Sequence, residues 1–334
     1  MNHRNVAVTG VGGGVGQSII KALQNTEYNV IGIDGEILGT GLYATAKSYL
    51  GFYANHPKFI DRVIEICKKE KCKVIFPGLD AELIPFSNSI EKLKANGILP
   101  IVSKRRVIDI ADDKLKTSEF LKNNNFPYIK TYRLKNYSFE LNFPVILKPQ
   151  KGGARSVGTF IAKNKEEFNA YIKKGIDINN YVVQEYIEGD EYTCGTVSFD
   201  NSCIGVILMK RQLRCGDTYK AFVVKNEKIS NFVKSVINVL KPFGACNVQL
   251  RIKNEIPYIF EINARCSGTT AARALAGFNE PKMICDYAFK NIDNPDFKIK
   301  EISILRYWKE LIIDNNKIQE MKSKHCIYNK ARKL

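Results

Sequence analysis

Short apolar segments alternate with helical segments along the N-terminal third of the chain, and this alternation constrains the fold strongly. Four segments have the length and apolar character of buried strands, namely Asn5–Thr9, Tyr28–Ile33, Lys73–Phe76 and Ile98–Val102. Among the segments between them, Phe59–Lys69 has the spacing of an amphipathic helix. Strands and helices in alternation predict a parallel sheet with helices on both faces.

A glycine-rich turn follows the first of these strands. Thr9, Gly10, Gly14 and Gly16 match the pattern T-G-x-x-x-G-x-G, which resembles the cofactor loop of the short-chain dehydrogenases. A nicotinamide-dependent oxidoreductase is therefore one alternative for the function. Those enzymes carry a Y-x-x-x-K sequence well after this loop, whereas the match in this chain, Tyr43–Lys47, comes too early. We favour the other interpretation, in which the glycines let a helix pack closely on a strand.

Right-handed crossovers would bring the carboxyl ends of the parallel strands to one edge of the sheet. Gly12, Asp34 and Asp80 would lie at that edge. A carboxylate in the position of Asp34 often binds a ribose in dinucleotide-binding folds. Asp80 and Glu82 could line a substrate cleft, and the alternative is that they cap the following helix.

Residues Asn247–Gly268 predict two strands joined by a turn near Glu255. Side chains alternate between the two faces of a strand, so Glu261 and Asn263 share one face. Oxygen atoms from one carboxylate and several amides would then lie side by side, which suits a Mg²⁺ ion that also binds phosphate and water. The alternative is an ordinary solvated hairpin. The expected cross-strand pairs are Gln249 with Glu261 and Asn247 with Asn263.

A second glycine-rich loop, Lys151–Thr159, joins two predicted strands, Phe143–Pro149 and Phe160–Ala162. Its backbone N–H groups and the Ser156 hydroxyl could donate hydrogen bonds to the oxygens of a triphosphate. The loop lacks the G-K-[ST] sequence of a Walker A motif. A plain hairpin loop is the alternative, and the concentration of Gly, Ser, Lys and Arg favours phosphate binding.

Residues Tyr181–Ile187 predict a strand whose edge could form hydrogen bonds with an adenine. Glu191 follows this strand and could accept hydrogen bonds from the ribose hydroxyls. Two further strands lead to basic residues that could contact phosphate or an acidic substrate. These basic residues are Arg211, Arg214 and Lys220. Val107–Asn123 predicts one helix, which carries Lys114.

The C-terminal part begins with a predicted helix, Thr269–Ala276, whose N–H groups could face an anion. Beyond residue 291 the sequence becomes polar, and one more strand is expected within Lys298–Tyr307. We expect Tyr307 and Trp308 to pack this segment on the core.

The 334 residues carry a formal net charge of +17. Such a charge favours anionic ligands, but the basic residues are spread along the chain. We therefore expect a small phosphorylated ligand and no nucleic acid. The nine cysteines include no C-x-x-C pair, which predicts reduced thiols in a cytoplasmic protein. The sequence shows no secretory h-region and no transmembrane run, so we expect no membrane association.

The order of these motifs resembles the ATP-grasp superfamily. The resemblance extends from the N-terminal domain to about residue 290, and it is strongest to the carbamoyl phosphate synthetase large chain and its small ligase relatives. The motifs that carry it, in chain order, are Lys114, Lys148, the glycine loop, QEYIEGDE, NVQ and EINARCSG.

The resemblance implies a fold and its boundaries. An α/β parallel-sheet domain of the Rossmann-like, pre-ATP-grasp type (residues 1–104) would precede an α+β ATP-grasp domain (residues 105–290). An inner small subdomain would occupy about residues 115–187, and residues 291–334 would form an extension packed on the core. A homodimer is expected from the habit of the family.

The resemblance also implies roles for individual residues, with ATP and Mg²⁺ as cofactors. Catalysis would involve Arg265, Lys148 and Ser156. Nucleotide binding would involve Lys114, Lys148, Gly152, Gly153, Ser156, Gln184, Glu185, Tyr186, Ile187 and Glu191. Metal binding would involve Gln249, Glu261 and Asn263, and substrate binding would involve Gly12, Asp80, Arg211 and Arg265.

The implied activity is ATP-dependent joining of a small-molecule carboxylate to an amine through an acyl phosphate, with release of ADP and phosphate. The chain is much shorter than carbamoyl phosphate synthetase, has one copy of the motifs and has no glutaminase segment. Carbamoyl phosphate synthesis and biotin carboxylation are therefore not expected. A non-catalytic nucleotide-binding protein is the remaining alternative, beside the oxidoreductase.

Overall fold

The computed structural model describes residues 4–153 and 156–329. A six-stranded sheet forms the N-terminal part. Its strands are β1 (Arg4–Val8), β2 (Tyr28–Asp34), β3 (Lys47–Leu50), β4 (Val74–Phe76), β5 (Leu99–Pro100) and β16 (Cys326–Tyr328). Their spatial order is β16-β3-β2-β1-β4-β5. The strands β1 to β5 pair in parallel, and β16 pairs antiparallel to β3. The predicted parallel sheet is confirmed.

Helices cover both faces of this N-terminal sheet. They are α1 (Gly14–Leu23), α2 (Phe59–Lys69), α3 (Asp80–Asn88) and α4 (Ile90–Ala95). Ile19 and Leu23 of α1 pack with Val6 on one face, whereas Val63 of α2 packs with Ala7 on the other. Successive side chains of β1 point to opposite faces, so both faces are buried from Val6 to Val8, and these three residues are apolar.

A small antiparallel sheet follows, with the order β6-β9-β7-β8. Its strands are β6 (Thr131–Arg133), β7 (Val145–Pro149), β8 (Phe160–Ala162) and β9 (Tyr181–Glu185), and α7 (Lys165–Lys173) packs against them. The helices before it are α5 (Arg105–Asp112) and α6 (Lys114–Asn123). The small sheet and α7 have an apolar core of their own.

The large antiparallel sheet has the order β14-β13-β10-β11-β12-β15. Its strands are β10 (Asp190–Phe199), β11 (Ser202–Arg214), β12 (Asp217–Val224), β13 (Gly244–Lys253), β14 (Ile256–Asn263) and β15 (Ser303–Leu305). The remaining helices are α8 (Glu227–Leu240), α9 (Thr270–Leu275), α10 (Glu280–Lys290) and α11 (Asn315–Lys324), and short 3-10 turns occupy Thr40–Tyr43 and Leu134–Asn136.

One apolar core joins the N-terminal sheet to the large sheet. It contains Val6 and Val8 of β1 together with Val197 and Phe199 of β10. A second core lies on the other face of the large sheet, beneath α5, α6 and α8. Because the N-terminal and large sheets share a core, the domain boundaries at residues 104 and 290 stay a prediction. The gap between the small and large sheets is where ligands can enter.

The predicted single helix Val107–Asn123 is wrong, because the chain breaks at Asp113. The backbone of Asp113 is extended, with φ −105° and ψ 112°, and its carboxylate accepts hydrogen bonds from the N–H groups of Leu115 and Lys116. An aspartate that caps a helix in this way competes with helix continuation. Lys114 therefore begins a new helix.

The C-terminal segment adds one strand to the large sheet and one strand to the N-terminal sheet. The expected strand is β15, which pairs with β12, and β16 then extends the N-terminal sheet. The packing expected of Tyr307 and Trp308 is wrong, because these side chains are 85% and 94% exposed. Across residues 4–153 and 156–329, none of the helices has the length and apolar content needed to cross a membrane.

Candidate active site

Two adjoining cavities lie beside the gap between the small and large sheets. The inter-sheet cavity, of about 320 Å³, is lined by residues of β7, β9, β11 and β13. The side cavity, of about 360 Å³, is lined by α3, α5 and the residues that follow Phe260. Lys114 and Glu261 line both cavities. Both volumes are typical of small-molecule sites.

The β13–β14 hairpin places its polar side chains as predicted. Gln249 pairs with Glu261 and Asn247 with Asn263. Glu261 lines both cavities and Gln249 lines the inter-sheet cavity. Asn247 is instead buried, and its side-chain oxygen accepts a hydrogen bond of 2.8 Å from the Thr193 hydroxyl. Gln249, Glu261 and Asn263 therefore share the face that is predicted to bind a metal, and metal binding by them stays a prediction.

Lys148 projects from β7 into the inter-sheet cavity, and only 7% of it is exposed. Its ammonium group lies 3.3 Å from the backbone oxygen of Phe260 and 5.7 Å from the centre of the Phe260 ring. Burial lowers the pKa of Lys148 to about 7, although the nearby Glu261 carboxylate acts in the opposite direction. A phosphate group in the cavity would restore the charge of this lysine.

Lys114 is held at the junction of the two cavities by the glycine loop. Its ammonium group donates to the backbone oxygen of Gly152, and its backbone N–H donates to Gln150. The Gln150 amide in turn donates to the Asp113 carboxylate at 2.7 Å. The break at Asp113 thus directs Lys114 towards the cavities.

The described part of the glycine loop contributes to both cavities. Gly153 and Ser156 line the inter-sheet cavity, and Gly152 lines the side cavity. Gly152, Gly153 and Ser156 all have positive φ angles, which leaves their N–H groups in a turn rather than in a strand. Ala154 and Arg155 of this predicted loop lie outside the described residues.

The end of β9 forms one wall of the inter-sheet cavity, where Gln184, Glu185, Tyr186 and Ile187 all contribute. The Gln184 amide donates to the Thr131 hydroxyl at 2.9 Å, and its buried side-chain oxygen has no hydrogen-bond partner within the described residues. A buried acceptor without a partner is costly, so a ligand that donates a hydrogen bond would be favoured here.

Glu191 is bound by two arginines. Arg211 donates to one of its oxygens at 2.6 and 2.8 Å, and Arg251 donates to the other at 3.0 Å. Arg211 also donates to the Gln249 side-chain oxygen at 2.6 Å. Arg211, predicted as a substrate residue, therefore lies in the inter-sheet cavity with the residues predicted to bind the nucleotide.

Arg265 links the hairpin to the N-terminal domain. It donates to both oxygens of Asp80 at 2.7 and 2.8 Å and to the Asn263 side-chain oxygen at 3.2 Å. Burial acts to raise the pKa of Asp80, but the Arg265 guanidinium outweighs it and holds that pKa below its usual range. Asp80 lines the side cavity, and its role in substrate binding stays a prediction.

The Glu82 side chain binds the loop that precedes α3, and it is not among the described residues that line the two cavities. Its carboxylate accepts hydrogen bonds from the Thr9 hydroxyl at 2.7 Å and from the N–H groups of Gly78 and Leu79 at 2.9 and 3.1 Å. Burial raises the pKa of Glu82 to about 7. The helix-capping alternative given for Glu82 therefore fits the structure.

The first glycine turn is closely packed by the protein itself. The Gly12 N–H donates to the Asp34 carboxylate at 2.6 Å, so this carboxylate, of a kind that often binds a ribose, holds the turn itself. A Cβ atom at Gly10 would lie 2.5 Å from Leu79 Cγ, and one at Gly13 would lie 2.8 Å from Leu79 Cδ2. Gly12 is not among the described residues that line either cavity, and its role in substrate binding stays a prediction.

The sequence predicts three further groups that could contact an anion, and each has a contact within the protein instead. Arg214 and Lys220 lie over the Tyr219 ring, at 5.5 and 5.9 Å from its centre. The N–H of Ala271 in α9 donates to the Ser18 hydroxyl, so it is not directed at an anion.

Several residues of the inter-sheet cavity received no role from the sequence. Arg251 is one of them, although it follows Gln249 by two residues and therefore lies on the same face. Phe260 is another, and its contact with Lys148 has no local signal. The apolar residues that line the cavity lie in separate elements and have only their apolar side chains in common. They include Ile129, Ile146, Ile161 and Leu213.

The predicted Mg²⁺ ligands fit the ion in kind. Glu261 supplies one carboxylate, and Gln249 and Asn263 supply amide oxygens, which together suit a hard cation that takes its other ligands from phosphate and water. All three groups accept a hydrogen bond within the protein: Glu261 from the Asn263 amide at 3.0 Å, Gln249 from Arg211 at 2.6 Å, and Asn263 from Arg265 at 3.2 Å. No group of three or more His, Cys, Asp or Glu residues suited to a metal occurs in the described ranges.

The family is decided by two sequence profiles. One, described as the ATP-grasp domain, matches residues 111–269. The other, described as the PylC-like N-terminal domain, matches residues 6–101. The chain belongs to the ATP-grasp superfamily. The predicted family and the predicted order of a parallel-sheet domain before an ATP-grasp domain are therefore confirmed.

Relatives of this ATP-grasp chain include the carbamoyl phosphate synthase large chain of Clostridium acetobutylicum, which is 24% identical over 231 residues. The match covers 63% of this chain and 21% of that relative, so the chain spans about a fifth of the length of the curated relatives it matches.

Solved structures with the same fold include N5-carboxyaminoimidazole synthetase of Staphylococcus aureus complexed with ADP. Its TM-score is 0.69 at 16% identity, over 96% of this chain and 97% of that one. An L-amino acid ligase of Bacillus licheniformis gives a TM-score of 0.65 at 15% identity, over 88% and 78% of the two chains.

Proposed function

We propose that this ATP-grasp protein is an ATP-dependent ligase that joins a small-molecule carboxylate to an amine. The reaction would pass through an acyl phosphate and release ADP and phosphate. The observation that carries the proposal is the junction of the two cavities at Lys114 and Glu261. A nucleotide in the inter-sheet cavity would have its terminal phosphate at the opening to the side cavity.

The adenosine part of ATP suits the apolar end of the inter-sheet cavity. The unpartnered Gln184 oxygen would accept a hydrogen bond from the adenine amino group, which guanine lacks at that position. Glu191 would accept from the ribose hydroxyls, as the family resemblance implies, while Arg211 and Arg251 hold its carboxylate in place.

The phosphate part suits the basic and glycine-rich end. Lys114 and Lys148 would neutralise phosphate charge, and Ser156 with the loop N–H groups would donate to phosphate oxygens. Mg²⁺, when bound, would polarise the phosphate for transfer. Glu261 would be its carboxylate ligand, assisted by the side-chain oxygens of Asn263 and Gln249.

Two bond changes make up the proposed reaction. An oxygen of the substrate carboxylate bonds to the γ-phosphorus as the bond to ADP breaks. The amine nitrogen, after loss of a proton from its ammonium form, then bonds to the acyl carbon. Phosphate leaves with its electron pair, and the nitrogen releases a second proton to solvent. Arg265 donates to Asn263, which lines the side cavity, and its charge would stabilise the acyl phosphate.

The proposal can be tested by measuring ADP and phosphate release from Mg-ATP with pooled amino acids and small carboxylic acids. Wild type is compared with Glu261→Gln and Lys148→Met. The matched control is Lys210→Met, because Lys210 lies on β11 but its side chain is 42% exposed and pairs with Asp190. We expect release that requires both an acid and an amine, is lost in the two cavity variants and is kept in the control.

Other outcomes point to other functions. Release of AMP and pyrophosphate would overturn the acyl-phosphate mechanism. Binding of ATP without release for any pool would favour the non-catalytic alternative. The oxidoreductase alternative has little structural support, because Asp34 and Leu79 occupy the surroundings of the glycine turn. Binding of a nicotinamide cofactor, measured by fluorescence, would support the oxidoreductase alternative.

Cytoplasmic location and a homodimer complete the proposal. All nine cysteines are free thiols, which suits a reducing compartment. The dimer rests on the family resemblance and is tested by the molecular mass in solution.

A further inference from the structure

We infer that the side cavity binds the amine substrate and that Asp112 holds its ammonium group. This inference rests on the proposed ligase function, and it names the class of one substrate. The amine would be a primary amine on a short apolar body, and its nitrogen would be held beside the junction where the acyl phosphate forms.

The composition of the side cavity supports an amine with an apolar body. Leu83 and Ile84 of α3 and Ile108 of α5 form an apolar wall. Ile84 is 36% exposed, so a ligand could remove apolar surface from water and gain affinity. The volume of about 360 Å³ limits the ligand to a small molecule.

Among the carboxylates that line this cavity, Asp112 is the least strongly hydrogen-bonded and can therefore best accept a hydrogen bond from a ligand. Asp80 has both oxygens bound by Arg265. Glu261 accepts from Asn263 and also faces the inter-sheet cavity. Within the described ranges, the Asp112 carboxylate has a single hydrogen bond, a long one of 3.4 Å from the Gly152 N–H.

The neighbouring Asp113 does not share this capacity. It is buried, and its carboxylate accepts from two backbone N–H groups of α6 and from the Gln150 amide. The two adjacent aspartates therefore have different tasks. Asp113 shapes the break between α5 and α6, whereas Asp112 faces the side cavity.

Asp112 is also the last residue of α5. The final carbonyl groups of a helix carry partial negative charge, which favours a cation at that end. An ammonium group beside Asp112 would interact with the carboxylate and with this helix end. Lys114 lies two residues further on, so the amine and the transferred phosphoryl group would be close together.

The test uses n-butylammonium chloride as the probe, and n-butanol as the uncharged probe of the same length. Binding of each to the full chain is measured by titration calorimetry with Mg-ADP present. The variant is Asp112→Asn, and the matched control is Asp109→Asn on the same helix, where Asp109 pairs with Arg105 at 2.8 Å.

We expect Asp112→Asn to weaken n-butylammonium binding by about 10- to 100-fold, because a charge-assisted hydrogen bond is lost. Binding of n-butanol should not change, and Asp109→Asn should bind both probes like wild type. Equal n-butylammonium affinity in wild type and Asp112→Asn would overturn the inference, as would the absence of n-butylammonium binding to wild type.

A second variant covers the case in which Asp112→Asn does not fold. Ile84→Lys changes a partly exposed side chain and places a positive charge on the apolar wall. It should weaken n-butylammonium binding more than n-butanol binding, and equal loss for the two probes would contradict the inference.

The inference and the proposed function fail in different ways. If the ligase function is wrong, no pool supports ADP release, while n-butylammonium binding still depends on Asp112. If the amine site is wrong, ADP release persists and the Asp112 variant binds the probe normally. Once an amine substrate is known, Asp112→Asn should raise its KM and leave the KM for ATP unchanged.

Discussion

Arg211 donates a hydrogen bond of 2.6 Å to the side-chain oxygen of Gln249. This is the oxygen that Gln249 would offer to a metal ion. The same guanidinium group donates to Glu191, so it spans the predicted metal-binding and ribose-binding residues. Gln249 must therefore exchange an existing partner to bind a metal, and Glu261 is the predicted ligand with negative charge.

The first prediction concerns the Mg²⁺ requirement. We expect Glu261→Gln to raise the Mg²⁺ concentration for half-maximal ATP binding by about tenfold or more, because a carboxylate ligand is lost. Gln249→Leu should raise it by only about threefold, because the lost amide oxygen already has a strong partner. Titration of Mg²⁺ at fixed ATP measures both effects. A larger effect for Gln249→Leu would show that Arg211 releases this oxygen at little cost.

The second prediction concerns the bond between Asp80 and Arg265. Asp80→Ala should lower kcat by about tenfold, because Arg265 loses the contact that orients it beside Asn263. The affinity for ATP should stay the same, since Asp80 lines only the side cavity. The free energy of unfolding should fall by about 1–3 kcal/mol, because the Arg265 side chain is only 11% exposed and would lose both of its bonds to Asp80. A weaker affinity for ATP in this variant would contradict the assignment.

The third prediction concerns a buried ion pair beneath the hairpin. Arg273 donates to Glu280 at 2.7 Å, both side chains are fully buried, and Arg273 also bonds Asn247 on β13. Arg273→Met should destabilise the protein by about 3–5 kcal/mol, because Glu280 would keep a buried charge without its partner. The double variant Arg273→Met/Glu280→Leu should recover part of this loss. Denaturant unfolding of the single and double variants measures the coupling.

The hairpin shows how much of the site the sequence could predict. Alternation of side chains correctly assigned Glu261 and Asn263 to one face. The pairing of Gln249 with Glu261 was also correct, but the turn has two central residues, Asn254 and Glu255, with φ of 50° and 62°. A simple two-residue turn would set Gln249 opposite Phe260, and an irregularity between Gln249 and Leu250 shifts the register by one residue. The bulge has no signal in the sequence pattern.

Features formed between distant segments were harder to predict. The helix breaks at Asp113 because its carboxylate binds the N–H groups of the next residues. The spacing of apolar residues does not show that this aspartate caps a new helix. Arg211 and Arg251 come together on Glu191 only when β10, β11 and β13 pair. The pairing of β16 with β3 joins residues far apart in the chain. The last two features depend on tertiary contacts that have no local pattern.

The last prediction concerns the stability cost of Lys148. Burial lowers its pKa from 10.5 to about 7, so the folded protein releases this proton at a lower pH than the unfolded chain does. Between these two values the unfolded chain holds more protons, and the contribution of Lys148 to stability rises with pH. Below pH 7 both states are charged, and the cost of burying the charge is greatest.

Lys148→Met should therefore stabilise the protein in the absence of nucleotide. We expect a gain of at least about 1 kcal/mol at pH 6, and a smaller gain at pH 9. Denaturant unfolding at the two pH values, with Lys210→Met as the control, measures the difference. The same variant should lose ADP release, because the lysine that weakens the fold supplies the charge for the phosphates. A gain that is equal at both pH values would mean that Lys148 is not desolvated in the cavity.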